Sequence, residues 1–234
     1  MAFIVIDYSK GNLRSVQKSL ELAGTEAIVS AHAEDICKAE AIVLPGVGAF
    51  ADASKEMLEN GQMQAIRECV RGGMPILGIC LGMQLLFERG SEGMPEGEWA
   101  PGLALLPGSC TRIAHTDAEG TQYKVPHVGW NQVWYSPDIK SKVKLPRLFT
   151  KVEDGSNFYF THSFGCEPTE ASDVLATVTH ATTMPSVVCR DLMFGVQFHP
   201  EKSSHKGLAV MKNFVRYVRK VQNKDRSCGA GACS

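Results

Sequence analysis

Apolar positions in the first third of the chain fall into short continuous runs separated by helix-spaced stripes. Ala2 to Asp7 carries the run Phe3-Ile4-Val5-Ile6 and predicts a strand. Asn12 to Ala23 sets Leu13, Val16, Leu20 and Ala23 on one helical face, with Gly24 as its stop. Ala27 to Ser30 and Ala41 to Leu44 predict further strands, Met63 to Arg71 a helix closed by Gly72-Gly73, and Pro75 to Ile79 another strand. Fully apolar strands alternating with amphipathic helices across short connections predict an α/β fold, a three-layer arrangement with a mostly parallel central sheet. Sheets of this kind bind ligands at the carboxyl ends of their strands.

After Gly90 to Gly102, a loop rich in Gly, Glu and Pro, the pattern changes to period two. Cys110–Ala114, Val128–Tyr135, Asn157–Thr161, Val174–Thr179, Ser186–Arg190 and Met193–Phe198 predict strands, added antiparallel. A helix from about His205 to Val221 follows, with Leu208, Met211, Phe214 or Val215, and Val218 inward. The Lys and Arg residues between Lys212 and Arg226 read as its solvated face. No repeat or linker divides the chain, so residues 1–222 are expected to form a single domain. The small residues of 223–234 offer no core, and a disordered tail is expected there.

Composition narrows the function classes. The 234 residues are 44% hydrophobic and 21% charged, with a formal net charge of −1. Such a chain can bury a large core, and without a basic stripe in its body it is expected to bind no nucleic acid. No apolar stretch is long enough for a membrane span and no basic leader precedes Phe3, so no membrane association and a cytoplasmic location are expected. Eight cysteines without a C-x-x-C pair, mostly single in apolar segments, fit reduced thiols, and no metal site is indicated.

The chemistry concentrates at Gly78-Ile79-Cys80-Leu81-Gly82, where a cysteine follows the apolar run directly. A G-x-C-x-G turn ending a buried strand resembles a nucleophile elbow, in which strained backbone exposes the nucleophile and glycines permit the tight bend. Leu81 to Glu88 reads as the helix that follows, its N-terminus favouring a thiolate at Cys80. Taken alone, the motif also fits a buried structural cysteine. In His199-Pro200-Glu201, proline biases His199 toward extended backbone, where residues two apart share a side, so Glu201 is placed to orient the imidazole. By itself that segment fits a solvated strand end better than a catalytic pair. Pro45-Gly46-Val47-Gly48 ends the strand at Ala41–Leu44 and brings glycine-rich backbone to the same edge, either as an ordinary turn or as a donor of N–H groups to an oxyanion, together with Leu81.

These segments together, Gly78-Ile79-Cys80-Leu81-Gly82-Met83-Gln84, Pro45-Gly46-Val47-Gly48 and Gln197-Phe198-His199-Pro200-Glu201-Lys202-Ser203, resemble the signature of the class I (triad) glutamine amidotransferases. Asp7-Tyr8, Gly11 to Ser15, Pro126 to Asn131 and Tyr159 to Phe164 resemble one branch, the glutaminase subunits of imidazole glycerol phosphate synthase. The likeness spans residue 3 to about 218. It implies Cys80 as nucleophile, His199 as base and acid, and Glu201 as its orienting carboxylate. It further implies an oxyanion hole at Val47, Gly48 and Leu81, glutamine contacts at Gln84, Ser163 and Phe164, and Trp130 at an interface, with a large rim or core aromatic as that residue's other reading. The implied partner is a (β/α)8 cyclase subunit that receives ammonia from L-glutamine and makes imidazole glycerol phosphate and aminoimidazole carboxamide ribonucleotide. No cofactor is implied, and the chain is too short to hold the barrel. Ser9-Lys10 before Gly11, and Phe164 where tyrosine is frequent, depart from the pattern. Two alternatives stand beside this reading: a glutaminase serving another synthase, such as a sugar-modifying one, and a non-catalytic binding subunit.

Overall fold

The computed structural model describes residues 2–9, 11–137 and 147–229. Strand β1 (Phe3–Ile6) is buried along its whole length, and its pleat explains why. Phe3 and Val5 enter one core while Ile4 and Ile6 enter another on the opposite face of the sheet. Helix α1 (Leu13–Leu22) leads into β2 (Ala27–Ser30), and the one-turn α2 (Ala33–Ile36) into β3 (Ala41–Leu44). Helices α3 (Phe50–Glu59) and α4 (Gln62–Arg71) then return the chain to β4 (Ile76–Ile79).

The expected helix at Leu81–Glu88 is shorter than its apolar pattern suggested. Helix α5 covers Leu81–Leu85, and β5 (Phe87–Gly90) begins with only Leu86 between them. Pairing of β5 with β6 (Ala100–Pro101) and β7 (Leu106–Arg112) overrides the local helical preference. These strands and β10 (Phe164–Pro168) form a four-stranded sheet in the order β10-β7-β5-β6.

The remaining strands are β8 (His127–Tyr135), β9 (Ser156–His162), β11 (Val174–His180), β12 (Thr182–Arg190) and β13 (Met193–Val196). They complete a nine-stranded sheet ordered β2-β1-β3-β4-β13-β12-β11-β8-β9. From β2 to β13 all neighbours are parallel, and from β13 onward all are antiparallel. Inserting β13 between β4 and β12 joins the two halves of the sequence in one sheet. Helix α6 (Ser204–Gly229) and α1 cover one face, where Phe214 packs edge-on against Phe3 with ring centres 5.8 Å apart. Helices α3 and α4 and the small sheet cover the other. The architecture is therefore three-layered α/β.

Helix α6 passes the expected end at Val221 and runs to Gly229, so the backbone of 223–229 is helical; residues 230–234 of the expected tail, and Lys10, lie outside the described residues. Met211, Phe214, Val215 and Val218 face inward as expected, Leu208 is only partly buried, and Arg216, Arg219 and Lys220 are exposed. Cysteines that stand alone in the sequence meet in space. The thiols of Cys37 and Cys69 lie 2.8 Å apart, and those of the directly paired Cys110 and Cys166 lie 3.2 Å apart; all four are free.

Candidate active site

Cys80 caps β4 with φ 54° and ψ −110°, a conformation costly for a residue with a Cβ. Its N–H bonds to the Val196 carbonyl at 2.8 Å, which ties the turn to β13. Two glycines make the bend possible. A Cβ on Gly78 would strike the carbonyl of Gly82, and one on Gly82 would strike the carbonyl of Leu44 at the end of β3. The five-residue α5 carries a smaller dipole than the longer helix expected, so the thiol's local partners matter more. Gln197 Nε2 lies 3.6 Å from Cys80 Sγ, and the Thr161 carbonyl lies 3.8 Å from it.

The His199-Pro200-Glu201 segment departs from the geometry expected of it. His199 is extended (φ −98°, ψ 96°), but Pro200–Lys202 form a 3₁₀ turn. That turn swings Glu201 back under the imidazole, so that His199 Nδ1 and Glu201 Oε1 are 2.9 Å apart, with both side chains almost wholly buried. The backbone is fixed as well: His199 N–H donates to the Tyr159 carbonyl at 2.9 Å, and Ser203 Oγ donates to the His199 carbonyl at 2.6 Å. Burial pushes the imidazole pKa down, but the Cys80 thiol and the Glu201 carboxylate outweigh it and raise it to about 10. Nε2 makes no hydrogen bond among the described residues, although the Cys80 side chain is close enough to act on the ring electrically. The Glu201 carboxylate thus favours the charged ring, and Nε2 is left without a partner of its own among the described residues.

A cavity of about 400 Å³ opens over Cys80. Val47, Gly48, Leu81, Gln84, Ser163 and Phe164, all singled out by sequence, line it. Gly48 has φ 103°, a backbone conformation suited to glycine. The preceding Gly46 is equally constrained, because a Cβ there would collide with the Tyr8 hydroxyl. Tyr8, wholly buried, donates to the Pro45 carbonyl at 2.6 Å and so holds the base of this loop. Gln84 is buried in the wall, its Nε2 donating to the Phe164 carbonyl at 2.9 Å and to Gln197 Oε1 at 3.2 Å.

Sequence patterning assigned no role to three of the site's polar groups. Glu92 brings a carboxylate into the wall from the loop after β5; its Oε2 accepts the Phe50 N–H at 3.3 Å. Burial raises its pKa, opposed by that N–H and by Arg112. Gln197, fully buried, joins Cys80 to Gln84, and His162 forms wall at the end of β9. Gln197 and His162 stand within motif segments that could have drawn attention to them, whereas nothing local marks Glu92. Trp130 lies away from the pocket wall, 55% exposed on β8, with its ring edge-on to Tyr159. It is a surface aromatic and not a core one. Among the described residues, no group of three or more His, Cys, Asp or Glu side chains is placed to hold a metal ion.

Residues 4–218 match the family described as glutamine amidotransferase class-I. The chain is 44% identical over 217 residues to a protein of Halalkalibacterium halodurans named imidazole glycerol phosphate synthase subunit HisH, covering 92% of this chain and 96% of that protein. It is 44% identical over 222 residues to the protein of the same name from Moorella thermoacetica, covering 94% and 96%. Among solved structures, a glutamine amidotransferase aligns with TM-score 0.68 at 19% identity, over 94% of this chain and 100% of that one. A chain of PurLQS from Thermotoga maritima aligns with TM-score 0.64 at 18% identity, over 93% and 98%. These two structures share the fold.

Proposed function

The chain belongs to the class I glutamine amidotransferases, and we propose that it hydrolyses L-glutamine at Cys80 and delivers the ammonia to a (β/α)8 cyclase subunit making imidazole glycerol phosphate. The observation that carries the reaction is an elbow cysteine in the wall of the cavity whose side chain acts on the imidazole of a buried His199–Glu201 pair 2.9 Å apart. His199 takes up the thiol proton through Nε2, and Cys80 Sγ attacks the side-chain amide carbon. The oxygen becomes an oxyanion, stabilised by N–H groups of Leu81 and of the loop at Val47 and Gly48. When the tetrahedral species collapses, His199 returns the proton to the departing nitrogen, and ammonia leaves a glutamyl thioester. Water, deprotonated by the same imidazole, then releases glutamate and restores the thiol. Glu201 holds the ring in place and balances its charge throughout.

The pocket wall suits the substrate's other end. Glu92 offers a negative carboxylate to an α-ammonium group, and Gln84 with the Ser163–Phe164 backbone shapes the wall beside it. The acceptor is assigned from the relatives at 44% identity, because one fold serves several ammonia-using synthases. Trp130 and Val128, 55% and 56% exposed on the same face of β8, are the proposed cyclase contact. Glutamate release should be measured for the chain alone, then with the cyclase and its ribonucleotide substrate. Strong activation in the complex is expected. Release that the cyclase leaves unchanged would assign the ammonia to another synthase, and no release in either setting would overturn the glutaminase reading.

A further inference from the structure

Two buried histidines beside the pocket have no part in the chemistry above. His127 and His162 are 4% and 6% exposed, and His127 Nδ1 lies 3.2 Å from His162 Nε2. At one end of this pair, His162 Nδ1 is 2.9 Å from the Phe164 carbonyl, which also accepts Gln84 Nε2. At the other end, Asn131 Nδ2 is 3.2 Å from His127 Nε2.

The ends dictate every proton between them. A carbonyl only accepts, so His162 Nδ1 carries hydrogen and, in a neutral ring, its Nε2 is an acceptor. His127 Nδ1 must then donate, leaving His127 Nε2 to accept from Asn131. The Asn131 amide is oriented independently: its Oδ1 accepts the Gln132 N–H at 2.8 Å and its Nδ2 donates to the Thr179 carbonyl at 3.0 Å. Both ends therefore require the same direction, and the line Asn131, His127, His162, Phe164 closes only with both rings neutral. The surroundings keep them so. Burial, then His162 and His180, push His127 down to about 3. Burial outweighs the bond to Phe164 at His162 and, with His180 and His199, lowers it to about 4. His180 stacks on His127 at 4.2 Å and is itself fixed by the Lys124 carbonyl at 2.8 Å.

The line ends where position matters. His162 closes β9 in the large sheet and Phe164 opens β10 in the small one, so Ser163 is the corner at which the chain changes sheet. We propose that His162, its tautomer set by His127, is a positioning residue that locks this corner and, through the Phe164 carbonyl, fixes Gln84 for glutamine binding. The proposal rests on the glutaminase reading.

Nitrogen-15 spectra of the histidine rings in the natural protein test the protonation pattern directly: both rings should be neutral and carry hydrogen on Nδ1 at pH 7, and an Nε2–H ring at either position would overturn the proposal. Kinetics of the complex with the cyclase test the role. His162→Phe should raise KM for glutamine about tenfold, the worth of one ordinary hydrogen bond, with a smaller change in kcat. His162→Asn, which keeps a donor at the Nδ1 position, should recover most of that loss. His127→Phe should raise KM in the natural background and add nothing in the His162→Phe background, because it acts through His162. Additive effects, or an unchanged KM in an active enzyme, would overturn the positioning role alone, whereas absence of glutamate release by the natural complex would overturn the glutaminase reading. If a phenylalanine variant does not fold, the Asn variant and the spectra decide.

Discussion

The Tyr8 hydroxyl donates to the Pro45 carbonyl across 2.6 Å, and the same oxygen occupies the space that a Cβ on Gly46 would need. One buried phenol thus anchors the loop carrying Val47 and Gly48 and forces its glycine. Burial, with Cys80 and Glu56 nearby, raises its pKa well above the ordinary range, so it remains a donor across the pH range of the enzyme. Tyr8→Phe leaves a buried acceptor without its partner, at a cost of about 1–3 kcal/mol, and should lower Tm by several degrees. If the loop supplies an oxyanion donor, kcat should fall more than KM changes; a lower Tm with unaltered kinetics would remove the loop from the oxyanion hole.

Cys80→Ala is expected to reduce glutamate production by at least about 10³-fold while the chain still folds and binds the cyclase, since the substitution removes only the nucleophile. Glutamate assay and gel filtration of the mixed subunits give the two readouts. Loss of folding or partner binding would mark Cys80 as structural.

Glu92→Gln should raise KM for glutamine about tenfold, through loss of the charge facing the substrate's ammonium group, and should leave the melting temperature close to that of the natural chain. An unchanged KM would place that carboxylate outside the glutamine site.

The histidines give stability opposite dependences on pH at the two ends of the scale. His199, raised to about 10 from an unfolded value near 6.5, binds its proton more tightly when folded. Its contribution is complete below about pH 6.5 and is lost as pH rises through about 10. His127 and His162, lowered to about 3 and 4, behave in reverse: their contribution is complete above about pH 6.5 and declines as pH falls toward those values. Urea midpoints against pH should show His199→Gln flattening the alkaline slope and His162→Asn flattening the acid one; unchanged slopes would contradict these assignments.

Much of this was legible because it was local. The strands at Ala27–Ser30 and Ala41–Leu44 have the bounds their apolar runs predict, and the elbow glycines are required for the reason read from their spacing. Where long-range pairing decides, the pattern fell short. Leu85-Leu86-Phe87 continue a helical stripe, yet Phe87 joins a strand because β7 lies beside it. Phe50–Glu59 follows a glycine loop directly, which masked the start of α3, and Phe164–Pro168, with Gly165, Glu167 and Pro168, has no apolar run to mark it. Among site residues, the cysteine, histidine and glutamate stand in dense local motifs. Gln197 and His162 stand inside such motifs but make their contacts with distant parts of the chain, and Glu92 reaches the wall from a loop with no local mark at all.

The insertion of β13 between β4 and β12 has a consequence for synthesis. Cys80 and its neighbour Gln197 are 117 positions apart in the chain and meet only when β13 pairs with β4. A growing polypeptide that has completed the elbow but not β13 has the Cys80 thiol without His199 or Glu201. Under the proposed mechanism, the ability to consume glutamine is therefore withheld until the strand that unites the two halves of the sheet and the turn after it have been made.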